Sequence, residues 1–505
     1  MLAHLLAQSA AFHAPRIDFH ALAPEIVLTG VITILLLVDL FTEPAQKWLV
    51  PALGGIGLLA ALVPIITLAV DGTDRGLFGG AFTVDKFALV MKGVFIVAGY
   101  LTVLLSTNYV AEGDYWEGEY YVLLVSAVLG MSVMASARDL ITMFVALELL
   151  SIPAYLLAGW RKRDLKGNEA GLKYYLVGVF ASGVMLYGMS LIYGGTGTTL
   201  LRQIGTQLAG DFGKTPAASL GIVFVLVGFG FKVSAVPFHN WAPDTYEGAP
   251  TPITAFLSVA SKAAGFVAIL QLIFVAFYGR SDVYGPLMWV LAVLTMTIGN
   301  LIALRQTNVV RLLAYSSVAQ AGFMLAPLAV AGNRGNASEA VAAVVVYLII
   351  YTAMNFGAFA VVIAVSRRTR SGEIASWGGL GQYAPGLATS MSIFLFALAG
   401  IPPLGGWFAK FLVFRAVLNG NTTGGTILGV VVGVNSVIAL FYYANVVRTM
   451  WMEPAPDGDH TPVKVPTALV AAMGISVVAT LVFGFFPQIA ANLGDVASNL
   501  TAFGH

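Results

Sequence analysis

Apolar runs of about twenty residues recur from one end of this 505-residue chain to the other. A helix of that length spans the hydrocarbon core of a bilayer, where backbone polar groups find no water and only helices or closed barrels can satisfy them. Only 10% of the residues are charged, against about 25% in soluble domains. The alternating pattern of a membrane barrel is absent. The sequence therefore predicts an all-α polytopic membrane protein, a single integral membrane domain over residues 1–505.

The apolar runs and the loops between them predict about fourteen transmembrane helices. The predicted ranges are 22–41, 49–70, 87–106, 117–136, 138–159, 168–194, 216–240, 252–278, 284–304, 307–330, 338–366, 387–419, 426–451 and 465–488. The segment 195–215 is predicted to lie along the surface.

Five lysines fall inside these spans: Lys92, Lys173, Lys232, Lys262 and Lys410. The last three lie far from any helix end, where a charge costs about 2.5–3.5 kcal/mol on insertion scales. Together they cost about 8–10 kcal/mol, which is comparable to the net stability of a whole domain. We expect charges retained at that cost to move protons or ions. Lys173 either relays protons or extends its side chain to water, and Lys92 is expected to do only the latter.

Two of the lysines lie beside prolines. Lys232 is followed five residues later by Pro237 in the stretch FKVSAVPFHNWAPDTYEGAPTPITAFLSVASKAAG, and Pro402 and Pro403 precede Lys410 in ALAGIPPLGGWFAKF. A proline removes a backbone donor, so the carbonyls four residues earlier lose their helical partners. These are the carbonyls of Val233, Leu398 and Ala399. Broken membrane helices occur where the backbone is buried in protein or lines a watery cavity.

The breaks, five helices apart, predict an internal duplication. Discontinuous helices at matching positions are typical of transporters with inverted repeats. We expect two inverted five-helix repeats with discontinuous helices, at 117–278 and 284–451. A simple kink is the alternative for each proline.

Glu148 is interpreted as the one carboxylate deep within a span, and Lys232 as its natural partner. A pair about 4 Å apart gains about 4 kcal/mol at an effective dielectric near 20, so moving the carboxylate could load or unload a proton. A static ion pair that fixes helix packing is the alternative. Glu25 is expected only to anchor the edge of its helix. His239 either relays protons or bonds the polar loop beside it.

The chain has no cysteine, which excludes thiolate-ligated iron–sulfur clusters and zinc–cysteine sites. No cofactor is therefore predicted in this chain. Dense basic clusters at 161–166, 305–311 and 367–370 fall on one side when the N-terminus is placed outside. Since positive loops stay in the cytoplasm, both termini are predicted outside.

The two proline-containing stretches quoted above resemble those of the antiporter-like subunits of respiratory complex I and their relatives in multisubunit Na⁺/H⁺ antiporters. The resemblance covers nearly the whole chain. It implies proton translocation coupled to quinone reduction, with NADH, FMN, iron–sulfur clusters and quinone bound elsewhere in a complex in the cell membrane. It also implies partnership with other membrane-arm and peripheral-arm subunits. The site residues it implies are Glu148, Lys232, Lys262, Lys410, Lys173 and His239.

Two other functions stay open from the sequence. A subunit of a multisubunit cation/proton antiporter would transport without redox chemistry. A membrane scaffold would use the lysines only to lock helices together.

Overall fold

The computed structural model describes residues 17–43, 46–113, 118–332, 336–456, 458 and 460–500. The two chain ends, which we predict to lie outside, fall beyond these residues. The helices, in chain order, are α1 (Ala23–Phe41), α2 (Leu49–Asp71), α3 (Lys86–Glu112), α4 (Gly118–Ser136), α5 (Leu140–Ala158), α6 (Leu165–Thr196), α7 (Leu201–Leu208), α8 (Pro216–Lys232), α9 (Trp241–Gly248), α10 (Thr251–Ala276), α11 (Ser281–Ala303), α12 (Val309–Ala329), α13 (Ala337–Thr369), α14 (Leu380–Tyr383), α15 (Pro385–Ala399), α16 (Gly405–Asn419), α17 (Thr423–Met452), α18 (Thr467–Phe485) and α19 (Gln488–Ala497).

Within the described ranges, twelve helices are long and apolar enough to cross a membrane. Two shorter apolar helices, α8 and α15, belong to the spans that the prolines were predicted to break. The all-α membrane fold with discontinuous helices is confirmed. A small antiparallel hairpin between α2 and α3, β1 (Arg75–Leu77) with β2 (Phe82–Val84), was not predicted. The segment predicted to lie along the surface contains α7, which buries Leu201, Ile204 and Leu208.

Both broken spans are interrupted close to their prolines. α8 ends at Lys232, and α9 begins only at Trp241. α15 ends at Ala399 and is followed by Gly400 in the left-handed region, with φ of +91°, before α16 begins at Gly405. Glycine adopts this conformation without steric penalty. The sequence thus marked the interruptions correctly, although it gave each span as one range.

The centre of the molecule is formed by α10 and α13, whose most apolar stretches are entirely buried. α10 contains two π-helical segments, Leu257–Ser261 immediately before Lys262 and Leu272–Ala276 immediately after Gln271. Such segments are often found at functional sites. The central helix therefore carries a lysine and a glutamine, each next to an irregular turn.

Two spans begin in the same way. Asp139 caps α5 by accepting from two backbone N–H groups, and its backbone bridges to Leu200 after the long helix α6. Asn308 caps α12 in the same manner, and its backbone bridges to Glu373 after the long helix α13. A helix cap of this kind satisfies backbone donors that have no partner inside the helix.

Candidate functional site

Lys232, the last residue of α8, is 2% exposed, and among the described residues its ammonium bonds only to neutral groups. Its ammonium donates to the Ser151 hydroxyl at 2.9 Å and to the Tyr174 hydroxyl at 3.0 Å. Ser234, just beyond the helix end, takes a left-handed φ of 58°, which is uncommon for a residue other than glycine. Such backbone strain is concentrated at functional sites.

The predicted contact between Glu148 and Lys232 is not formed. Glu148 instead accepts a 2.7 Å hydrogen bond from Ser182 on α6. Ser151, which accepts from Lys232, follows Glu148 by three residues on α5. Residues three apart are neighbours on a helix face, so the carboxylate lies one turn away from the lysine's partner.

Lys262 is 1% exposed on α10 and reaches across to α12. Its ammonium donates to both the backbone oxygen and the hydroxyl of Ser317, each at 2.6 Å. One turn further along α10, Gly265 packs against Lys232: a Cβ built there would lie 3.3 Å from the Lys232 Cβ. The backbone of α10 thus brings the segment that carries Lys262 against Lys232.

Gln320, three residues after Ser317 on α12, links the centre to the second break. Its amide donates to the Leu398 carbonyl at 3.1 Å and to the Tyr443 hydroxyl at 3.3 Å. The hydroxyl of Tyr347 donates to the other side of the amide. All of these side chains are buried.

Lys410 on α16 is 6% exposed. It is the last residue of a line of buried polar side chains, the polar line, which runs from Lys232 through Lys262 and Gln320. Its ammonium donates to the Ala399 carbonyl at 2.8 Å and lies 4.7 Å from the centre of the Phe323 ring. The two carbonyls that the prolines were predicted to free, those of Leu398 and Ala399, are therefore the ones that accept from Gln320 and Lys410.

Lys173 lies away from this line, in a charged cluster at one end of the molecule. Its side chain is 43% exposed and pairs with Glu169 and Asp244, each at 2.6 Å. The cluster also contains Glu247, which pairs with Lys166 at 2.9 Å, and Arg311, which pairs with both acidic residues of α9. His239 is 8% exposed, and its Nδ1 has no hydrogen-bond partner in the described part of the chain.

The two carboxylates of α9 stay ionised because of their partners. Burial alone would raise the pKa of Asp244, but hydrogen bonds from Lys173 and Arg311 hold it below the ordinary value of 3.8. Burial likewise raises the pKa of Glu247, and Lys166 and Arg311 together lower it below 4.5. Such charge partners favour the charged form of an acid.

The interpretation of Lys92 and Glu25 is wrong. Lys92 does not extend to water: its side chain is 0% exposed and forms a 2.8 Å ion pair with Glu25. Glu25 is 8% exposed and also accepts from the Ser132 hydroxyl at 2.6 Å. Glu25 is thus a buried carboxylate within a span, whereas Glu148 is only partly buried. Sequence alone missed the pair because the two residues lie 67 positions apart on different helices.

Sequence reasoning also missed the neutral residues of the polar line. These are Ser151, Tyr174, Ser317, Gln320, Tyr347 and Tyr443. One signal was available: Ser151 follows Glu148, and Gln320 follows Ser317, by three residues within apolar helices, which places each pair on one face. No group of three or more histidine, aspartate or glutamate side chains suited to a metal ion is found in the described ranges.

Residues 137–438 match the family model described as NADH:quinone oxidoreductase/Mrp antiporter, transmembrane. The NADH-quinone oxidoreductase subunit N of Trichlorobacter lovleyi is 39% identical, with 96% of this chain and 98% of the relative covered. The chain belongs to the NADH:quinone oxidoreductase/Mrp antiporter family. The resemblance inferred from the two proline-containing stretches is thereby confirmed.

Solved structures with the fold of this family agree. A chain of respiratory complex I from Thermus thermophilus with bound aureothin is 30% identical, with a TM-score of 0.76 over 93% of this chain and 98% of that one. A chain of the Mrp complex from Dietzia sp. has a TM-score of 0.83 over 96% of this chain and 98% of that one. At 22% identity, the second likeness shows the family fold alone.

Proposed function

We propose that this chain is the N subunit of a bacterial NADH-quinone oxidoreductase and moves protons across the membrane. In such a complex, electron transfer from NADH to quinone drives the transport. The relative from Trichlorobacter lovleyi is an NADH-quinone oxidoreductase subunit N, and 98% of its length aligns with this chain. The Thermus thermophilus chain comes from respiratory complex I. The observation that carries the proposal is the line of three buried lysines bound to neutral partners.

The chemistry of that line suits proton transfer. Among the described residues, no carboxylate lies within 4.0 Å of the ammonium groups of Lys232, Lys262 or Lys410. Because no ion pair holds them, the ammonium groups can pass protons to water molecules or, at Lys232 and Lys262, to the hydroxyls that accept from them. Ser317 and Gln320, one turn apart on α12, connect the second lysine with the third.

Glu148 acts as the modulating carboxylate in this proposal. Its position one turn from Ser151 means that a rotamer change, or a small movement of α5, would bring it towards Lys232. A carboxylate that approaches a buried lysine favours the protonated form, and its withdrawal favours release. In the structure, Glu148 accepts a hydrogen bond from Ser182 and Lys232 donates one to Ser151. This arrangement corresponds to the state in which the carboxylate is withdrawn from the lysine.

Lys173 and His239 are proposed as entry residues at the charged end of the molecule. Lys173 is half-exposed at that end, and its ammonium forms an ion pair with the Asp244 carboxylate. His239 lies in the segment between α8 and α9, seven residues after Lys232. Protons gathered by the charged cluster would reach the break in this region.

We propose that the chain contains the two inverted repeats, 117–278 and 284–451. The matching caps at Asp139 and Asn308, each with a bridge to the segment after a long helix, support this duplication. These caps begin spans that are five spans apart. Since successive spans alternate in direction, equivalent helices five apart run in opposite directions, which is what an inverted repeat requires.

The redox groups of the complex would lie in partner subunits. Iron–sulfur clusters need thiolate ligands, and this chain has no cysteine. Its own part is to hold and move protons, in contact with the other antiporter-like subunits and the remaining membrane-arm and peripheral-arm subunits.

We further propose that both termini face the outside of the bacterial cell membrane. The basic loops meet at one end of the molecule: Lys166 and Arg311 share Glu247, and Arg367 pairs with Glu112. This clustering suits the cytoplasmic side. The cysteine-free chain allows a direct test with a membrane-impermeant maleimide. Arg163→Cys should be labelled only in inverted vesicles, and Asp211→Cys only in intact cells; the reverse pattern would refute the orientation.

The decisive experiment uses the intact complex reconstituted into vesicles. NADH addition should drive proton uptake, and Lys262→Met should abolish this subunit's contribution in an assembled complex, whereas the exposed Lys86→Met should not. Lys232→Ala and Glu148→Ala should impair transport as well. An assembly that transports cations for protons without oxidising NADH would instead identify an antiporter subunit. Unchanged pumping by the Lys262→Met complex would leave the membrane scaffold as the function of this chain.

A further inference from the structure

A second buried charge site lies outside the line of Lys232, Lys262 and Lys410. It consists of Glu25 on α1, Lys92 on α3 and Ser132 on α4. α1 and α3 begin, and α4 ends, at the same end of the molecule. Lys92 is the seventh residue of α3, so it lies about 9 Å from the helix start.

The pair has the composition of a proton-exchange site. It combines one carboxylate, one ammonium and one hydroxyl, as Glu148, Lys232 and Ser151 do. The pair is shielded from bulk solvent: Lys92 is 0% exposed, and its ammonium lies 5.0 Å from the centre of the Phe82 ring. Replacing a buried ion pair with apolar residues is often neutral or stabilising, so packing alone is a weak reason to keep it.

A route of unsatisfied polar atoms runs from this pair to α10. Ser132 donates a hydrogen bond to Glu25 Oε1, and the Lys92 ammonium forms its ion pair with the same oxygen, which leaves Glu25 Oε2 buried without a partner among the described residues. Ser136 Oγ and Gln271 Oε1 are also buried and unpartnered. Buried polar atoms in native proteins are nearly always bonded, to water where no protein group is available. Three such atoms therefore point to bound water.

Gln271 fixes where this route meets α10. Its amide donates to the backbone oxygens of Met134 and Ala135, at 2.9 and 3.0 Å, between Ser132 and Ser136 on α4. Gln271 follows Lys262 by nine residues, about 14 Å along the helix axis. A π-helical segment begins immediately after it.

The neighbouring charges do not compete for the pair. Asp85 caps α3 and binds Arg138 at 2.5 Å, and Arg138 also donates to the carbonyls of Ala135 and Ala137. The backbone of Phe82 bridges to Ala137, and its ring lies beside the Lys92 ammonium.

We propose that Glu25 and Lys92 form a proton-release site, supplied from Lys262 through Gln271 and the end of α4. This proposal rests on the proton-translocating function argued above. A proton that arrives through water binds the Glu25 carboxylate and breaks the ion pair. The Lys92 ammonium then gives its proton to a bound water molecule, from which the proton leaves towards the start of α3, and the Glu25 proton moves to the Lys92 amine. The ion pair is restored, with one proton taken up and one released.

Lys92→Arg tests the site in the intact reconstituted complex. Arginine keeps the ion pair but does not deprotonate in proteins. The ratio of protons moved to NADH oxidised should fall below that of the parent, while NADH oxidation in the presence of an uncoupler stays within about twofold. Lys86→Arg, the same exchange at an exposed position of α3, should leave the ratio unchanged. An unchanged ratio in an assembled Lys92→Arg complex would overturn the proposal.

The paired variant Glu25→Gln with Lys92→Met covers the case in which arginine does not fit. It removes both charges together, so a purely structural pair predicts a complex that assembles and pumps like the parent. A release site predicts an assembled complex with a lowered ratio. Failure of both variants to assemble would assign the pair to folding and refute the proposal. Failure of the proposed function itself is distinguishable, because the parent complex would then move no protons.

Discussion

The Lys410 ammonium donates a 2.8 Å hydrogen bond to the carbonyl oxygen of Ala399, the last residue of α15. Pro403 cannot supply the backbone N–H that this carbonyl would bind in a continuous helix. The carbonyl end of a helix carries partial negative charge, which favours a cation. The proline break thus creates the acceptor that holds the buried lysine.

Replacement of Lys410 should separate charge from proton exchange. Lys410→Arg retains a cation for the Ala399 carbonyl but cannot release a proton, so we expect an assembled complex with impaired pumping. Lys410→Met should be equally impaired. Proton uptake by reconstituted vesicles checks both variants. The same two exchanges at the exposed Lys86 serve as controls, and normal pumping by assembled Lys410→Arg would contradict proton exchange at this lysine.

Gln320 is expected to matter for both transport and stability. Gln320→Leu leaves the Leu398 carbonyl and the Tyr347 hydroxyl without their partner, which costs about 1–3 kcal/mol for an unsatisfied buried group. It also interrupts the line between Lys262 and Lys410. We expect a lower melting temperature and slower proton uptake.

Gln306→Leu provides the matched control, since the only acceptor of the Gln306 amide among the described residues is the Ile302 carbonyl, in the last turn of α11. It should change neither quantity. A Gln320→Leu complex that is less stable but pumps at the parent rate would restrict Gln320 to a structural role.

The sequence predicted the helices well because long apolar runs and prolines act locally. It also located the breaks and two of the freed carbonyls, since a proline always removes the donor to the residue four positions earlier. The contacts between helices were less accessible. Which hydroxyl meets Lys232, or that Glu25 meets Lys92 rather than water, depends on how segments far apart in the chain pack. The helical period gives the helix face on which a residue lies, but it does not give the residue of another helix that packs against it.

The charged cluster of α9 should give a defined pH dependence. The pKa values of Asp244 and Glu247 are lowered in the folded chain, so their stabilising effect is present above the ordinary carboxyl pKa values and lost as the pH falls through the lowered ones. Asp244→Asn should therefore lower the melting temperature by the same amount from pH 8 to pH 5.

The difference between parent and Asp244→Asn should shrink only below about pH 4, near the unperturbed pKa of aspartate. Thermal unfolding of the purified complex across this range measures it. A difference that already disappears near pH 6 would show that Asp244 is not held ionised by Lys173 and Arg311. Asp211→Asn, at a fully exposed position, is the control and should have no effect at any pH.

Gly265 is expected to set the distance between α10 and Lys232. A Cβ at this position would lie 2.9 Å from the Val233 Cγ1 and 3.3 Å from two carbon atoms of Lys232, so Gly265→Ala must displace the lysine or the helix. Overpacking of this kind typically costs about 1–3 kcal/mol. Gly183→Ala, on α6 with no atom within 4 Å of the added carbon, should be neutral or slightly stabilising. We expect Gly265→Ala alone to lower both the melting temperature and the pumping ratio. Parent-like pumping in both variants would mean that proton transfer tolerates a shift of Lys232 relative to α10, and the close packing of the two would then serve stability alone.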